Sequence, residues 1–124
     1  MRVLVAARDV RVRRALSQLL EVGGHRVVGA THALTLLPEL DARVVPDLVV
    51  LELDRYENPQ QLRVIKGLTH RGRAVIAVCS GTSSCAAVLA AGARACLDKD
   101  GDFADRLAAA VRALAGQPLP TPPA

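Results

Sequence analysis

The chain has 124 residues, 51% of them apolar, 23% charged and only 2% aromatic, with a formal net charge of +4. That length fits one domain able to bury most of its apolar surface without disulfides or structural metals, and no apolar run approaches the ~18 residues of a membrane span. With Tyr56 and Phe103 as its only aromatics, the chain lacks the base-stacking platforms of single-stranded nucleic-acid modules.

Short apolar runs alternate with segments of helical period. RVLVA (2–6) predicts a first strand, too short in its apolar part for the core of a signal peptide. Val12, Leu16, Leu19 and Leu20 then recur at helical spacing, with Asp9 as N-cap and Gly23-Gly24 as the stop. RVVGA (26–30) reads as a second strand. The following helix, between Ala33 and Arg43, contains Pro38, which must start it late or kink it. DLVVLEL (47–53) is a third strand whose unbroken apolar centre implies burial on both faces.

Asn58 and Pro59 then supply an N-cap and a first helical proline, with Leu62, Ile65 and Leu68 as the buried stripe. RAVIAVC (73–79) is a fourth strand. Ser83 or Ser84 caps the next helix, which stops at Gly92. ARACL (93–97) is a fifth strand. A last helix carries Phe103, Leu107, Val111 and Leu114, capped by Asp100 or Asp102. Five such units predict an α/β fold, a single doubly wound five-stranded parallel sheet with helices on both faces. One domain spans 1–116, and the proline-rich 117–124 reads as a linker or tail.

The three cysteines, Cys79, Cys85 and Cys96, show no CxxC spacing. A cytoplasmic chain would keep them as reduced thiols. His25, His32 and His70 lie far from them in sequence, so neither a metal nor another cofactor is expected. Cys79 and Cys96 end neighbouring strands and read either as small buried hydrophobes or as a redox pair. Cys85 opens a helix, where the dipole lowers a thiol pKa or the side chain simply packs. Arg11, Arg13 and Arg14 read as a solvated helix face, with no groove-reading helix to make them a DNA site.

Ligands of an open α/β sheet bind beyond the carboxyl ends of its strands. Ala7, Arg8 and Asp9 follow strand one, and Glu52 and Asp54 close strand three. Cys79-Ser80 ends strand four, and Asp98-Lys99-Asp100 follows strand five. No glycine-rich phosphate loop follows any strand. On RVLVAARD (2–9), VRRALSQLL (12–20), PDLVVLEL (46–53), VIAVCS (75–80) and AAGARACLDKD (90–100), the span from Arg2 to Gly116 resembles a bacterial response-regulator receiver domain. The resemblance implies the strand order 2-1-3-4-5.

In that family an aspartate ending strand three accepts a phosphoryl group, and an acidic pair after strand one helps it hold magnesium. A hydroxyl residue after strand four and a lysine after strand five contact the phosphoryl oxygens, and an aromatic residue on strand five reports the change. Here the acceptor position is Glu52, the acidic pair is Ala7 and Arg8, the hydroxyl position is Cys79 and the aromatic position is Cys96. Lys99 alone keeps the family residue, with Asp9 a neighbouring acid.

Magnesium takes octahedral oxygen ligands, and a fixed cation at ~4 Å repels a divalent ion by several kcal/mol at an effective dielectric near 20. The extra methylene of Glu52 also misplaces its carboxylate, and errors near ~1 Å cost ~100-fold. Phosphorylation at Glu52 is therefore not expected, and neither is enzymatic activity. Glu52 can instead lie between Lys99 and Arg8, whose planar fork suits a carboxylate. Such a network resembles either signalling state, or is only a structural ion pair.

The implied function is a phosphorylation- and magnesium-independent signalling module, the regulatory domain of a transcriptional regulator. Its partner would be another protein or a second copy, met through the last two helices and strand five, with no membrane. DNA would be reached only through a C-terminal effector domain, and a pilus-type localisation ATPase is the competing arrangement. The alternatives are an ordinary phospho-accepting receiver with an altered pocket, or a small-molecule sensor using space vacated at Ala7.

Overall fold

The computed structural model describes residues 1–53, 58–79 and 85–116. Asp54, the loop 55–57, Ser80, the expected caps Ser83 and Ser84 and the tail 117–124 lie outside the described residues. The elements alternate as β1 (Arg2–Ala6), α1 (Val10–Val22), β2 (Arg26–Thr31), α2 (Leu37–Val44), β3 (Leu48–Glu52), α3 (Pro59–His70), β4 (Ala74–Cys79), α4 (Cys85–Ala90), β5 (Ala95–Asp98) and α5 (Phe103–Ala115). The strands form one parallel sheet in the order β2-β1-β3-β4-β5.

Alternation along each strand sends successive side chains to opposite faces, and two cores result. Val3, Val5, Leu48, Val50, Ile76 and Val78 pack against Leu16 and Leu20 of α1 and Leu107, Val111 and Leu114 of α5. Leu4, Val49, Leu51, Val75 and Ala77 face Leu37, Ile65, Leu68 and Val88 of α2, α3 and α4. Leu48 through Leu51 are all fully buried, which explains the continuous apolar run of β3.

Local signals set most helix starts. The Asp9 carboxylate accepts from the Arg11 amide at 2.8 Å, and the Asn58 side chain accepts from the Gln60 amide at 2.9 Å with Pro59 leading α3. Pro38 does start its helix late: a single turn of 3-10 helix over Leu34–Leu36 precedes α2, and the proline sits in the first turn, where no amide donor is needed.

Two expectations need correction. Neither Asp100 nor Asp102 caps α5 with its side chain. Asp102 holds the N-cap position, but its carboxylate lies 3.2 Å from the Arg106 guanidinium one turn on, and the Asp98 carboxylate takes the Asp100 amide. Strand five is Ala95–Asp98, starting two residues later than predicted, because Ala93 and Arg94 complete the turn out of α4. That turn needs Gly92, at φ +113, where a Cβ would lie 2.8 Å from Thr69 of α3.

Candidate functional site at the carboxyl edge of the sheet

The register brings the chemistry-bearing strand ends together. β3 lies between β1 and β4, and β4 pairs with β5, so Ala7, Glu52, Cys79 and Lys99 all sit at one edge. Glu52 is opposite Val78, and the Lys99 amide donates to the Cys79 carbonyl at 3.0 Å.

Glu52 and Lys99 form a direct ion pair between β3 and the loop after β5. The side chains are 12% and 27% exposed, so water reaches the pair only in part and competes weakly with it. Arg106 holds the lysine's loop in place, its guanidinium donating to the carbonyls of Asp98 and Asp100, both at 2.8 Å. Sequence pattern points to the acids and Lys99 of this loop, but not to the arginine one helical turn beyond it.

Ala7 is buried, 3% exposed, and belongs to the core shared with α1 and α5. Its amide donates to the Thr31 carbonyl at 3.0 Å, and its carbonyl accepts from the Arg13 guanidinium at 2.9 Å. Arg8 is exposed and lines the same cleft as Glu52, a space of about 330 Å³ bounded also by Ala7, His32, Asn58 and Gln60. Asp9 is committed to the N-cap of α1, with the Arg11 guanidinium 3.8 Å away.

Cys79 and Cys96 lie on the other face, the one covered by α2, α3 and α4. Cys79 Sγ is 3.8 Å from Cys96 Sγ and 3.9 Å from Cys85 Sγ. Burial pushes the Cys96 thiol well above its ordinary pKa, and the neighbouring Cys85 and Cys79 thiols add to the rise. The metal-free thiol therefore stays protonated at neutral pH and is a poor nucleophile.

No family model and no curated protein matches the sequence. Solved structures do match in shape. The signal receiver domain of the response regulator NarL from Mycobacterium tuberculosis superimposes with a TM-score of 0.76 at 21% identity, over 94% of this chain and 97% of that one. A DNA-binding response regulator of the LuxR family from Staphylococcus aureus gives 0.78 at 16% identity, over 91% and 97%. A protein described as a pilus assembly protein (cpaE) from Burkholderia thailandensis gives 0.76 at 23%, over 94% and 99%.

The fold is that of a receiver domain.

The residues that the sequence resemblance assigns to the magnesium position do not fit the ion. Magnesium needs carboxylate oxygens it can share with water. Ala7 brings a buried methyl, Arg8 a cation, Glu52 a carboxylate already taken by an ammonium, and Asp9 a carboxylate bound to a backbone amide. Among the described residues, the single cluster of three or more metal-ligating side chains is Cys79, Cys85 and Cys96. Their spacing in sequence pairs Cys79 with Cys96 as neighbouring strand ends and does not bring Cys85 to them. The available signal is positional: the three cysteines close β4, open α4 and lie near the start of β5 in one βαβ unit.

Proposed function

We propose that this receiver-fold domain is a signalling and protein-interaction module that works without phosphorylation or magnesium, and that it is not an enzyme. The observation that carries the reading is the Glu52–Lys99 ion pair at the position where the family holds its acceptor and its phosphoryl-contacting lysine. The ammonium already has its anion, and Ala7 and Arg8 stand where the metal-binding acids would be. Without a metal, phosphoryl transfer lacks its main charge neutraliser.

Output then depends on surfaces. Along α4 and α5 the small side chains at 86, 90 and 109 are exposed, as is Leu89 (47%), and small residues permit close helix approach. A second copy or a protein partner would meet the domain there. The response-regulator neighbours support a regulatory domain of a transcriptional regulator, which would reach DNA through a separate effector domain. The pilus-assembly neighbour supports a second arrangement, in which the same surface serves an assembly protein.

The direct test records an amide NMR spectrum before and after adding magnesium with beryllium fluoride, and again with acetyl phosphate. Unchanged shifts for Ala7, Glu52 and Lys99 are expected. Saturable shifts at these residues would establish a phospho-accepting pocket instead. The cleft lined by Arg8, His32 and Asn58 supports one other reading, a small-molecule sensor, which would appear as ligand-dependent melting.

A further inference from the structure

Three thiols from one βαβ unit converge on the face of the sheet covered by α4. Cys79 closes β4, Cys85 opens α4 and Cys96 lies in β5. Cys79 Sγ lies 3.8 Å from Cys96 Sγ and 3.9 Å from Cys85 Sγ, and all three sulfurs lie within 4.8 Å of one another. A point equidistant from three sulfurs so spaced lies about 2.2–2.5 Å from each, which spans the ~2.3 Å of a metal–thiolate bond. The sulfurs thus already stand at coordination distance from a common centre.

The donor set selects the ion. Among the described residues no histidine or carboxylate joins the cluster, so the ligands are soft sulfur throughout. Hard cations such as magnesium and calcium want oxygen, whereas thiolates favour copper(I), zinc and iron–sulfur centres. Three thiolates complete the coordination of copper(I), while zinc in a structural site takes four ligands. Cys79 is 2% exposed and Cys85 and Cys96 are half-buried, a setting that shields a soft ion from water.

We propose that Cys79, Cys85 and Cys96 form a three-thiolate site for copper(I). Each thiol that ligates gives its proton to solvent and forms one S–Cu bond; the copper stays monovalent, so no oxidant or reductant is needed. The ion would tie together the end of β4, the start of α4 and β5. This inference goes beyond the phosphorylation-independent reading and stands whether or not that reading holds, because alternation puts Cys79 and Cys96 on the opposite face of the sheet from Glu52, where α4 brings Cys85 to them.

The test uses the reduced chain under anaerobic conditions, titrated with copper(I) against a chromogenic copper(I) chelator, with X-ray absorption on the loaded protein. One copper per chain with three sulfur neighbours near ~2.3 Å is expected. Cys79→Ser, Cys85→Ser and Cys96→Ser should each weaken binding by at least ~10–100-fold, the loss that follows even when a partner outside the coordination sphere is removed. Circular dichroism establishes that each variant folds, and Cys79→Ala serves where Cys79→Ser does not. Copper left entirely with the chelator would overturn the proposal. So would single variants that bind as tightly as the parent, or zinc held by the three thiols in preference to copper(I).

Discussion

Asp41 illustrates what a single buried charge does in this molecule. Its carboxylate is fully buried yet meets two guanidinium groups, Arg73 at 2.9 Å and Arg71 at 3.1 Å. The two arginines flank the turn from α3 into β4, so this cluster fastens α2 to the neighbouring unit. Removing the acid strands the Arg73 side chain, which is only 18% exposed. Asp41→Ala should therefore lower unfolding free energy by about 3 kcal/mol, at the lower end of the cost of breaking a buried pair because Arg71 remains half in water. Urea denaturation measures this, and an unchanged midpoint would show that the charges gain nothing from one another. The Glu52–Lys99 pair differs in kind. It closes a site, whereas Asp41 closes a seam between elements.

At the scale of elements, caps and turns decide where helices begin and end. The starts of α1 and α3 were legible, since an Asp or Asn cap acts within two residues and needs no tertiary partner. The start of α5 after Asp102 was legible too, but not its cap bond: the Asp102 carboxylate is drawn to Arg106, and the sequence does not say which of two local partners wins. The end of α2 carries an evident strain. Val45, 56% exposed, adopts φ +47, a left-handed conformation that costs a β-branched residue ~1–2 kcal/mol. Val45→Gly removes that cost and adds about 0.5–1 kcal/mol of chain entropy to the unfolded state. The net expectation is a rise in melting temperature of about 2–4 °C. A fall would mean that the exposed valine makes contacts worth more than its strain.

The whole molecule shows where a basic balance can come from. In the proposed reading Ala7 and Arg8 stand for the receiver's acidic pair, and making both acids would take the formal charge from +4 to +1. Three units of the +4 are thus matched by one cation present and two acids absent at these positions, and need no nucleic-acid surface to account for them. The triple variant Ala7→Asp, Arg8→Asp, Glu52→Asp separates substitution from drift. It should bind magnesium, seen as saturable amide shifts at the edge of the sheet, because it restores the oxygen ligands the ion requires. A variant that folds but does not bind would show that the edge has rearranged beyond these three side chains.

The sequence by itself determined the order of elements, the doubly buried β3, the late start of α2 and the residues at each strand end. All of these rest on periodicity and on contacts a few residues long. It also placed Glu52 and Lys99 at one edge, because parallel strands with short connections present their carboxyl ends together. Only the tertiary structure decided that Cys85 joins Cys79 and Cys96, that Arg106 holds the lysine's loop, and that Asp41 is a buried acid between two arginines. Those contacts depend on how far a helix leans over the sheet and which way a long side chain turns. Such quantities are set by packing between elements distant in sequence, which local pattern does not encode.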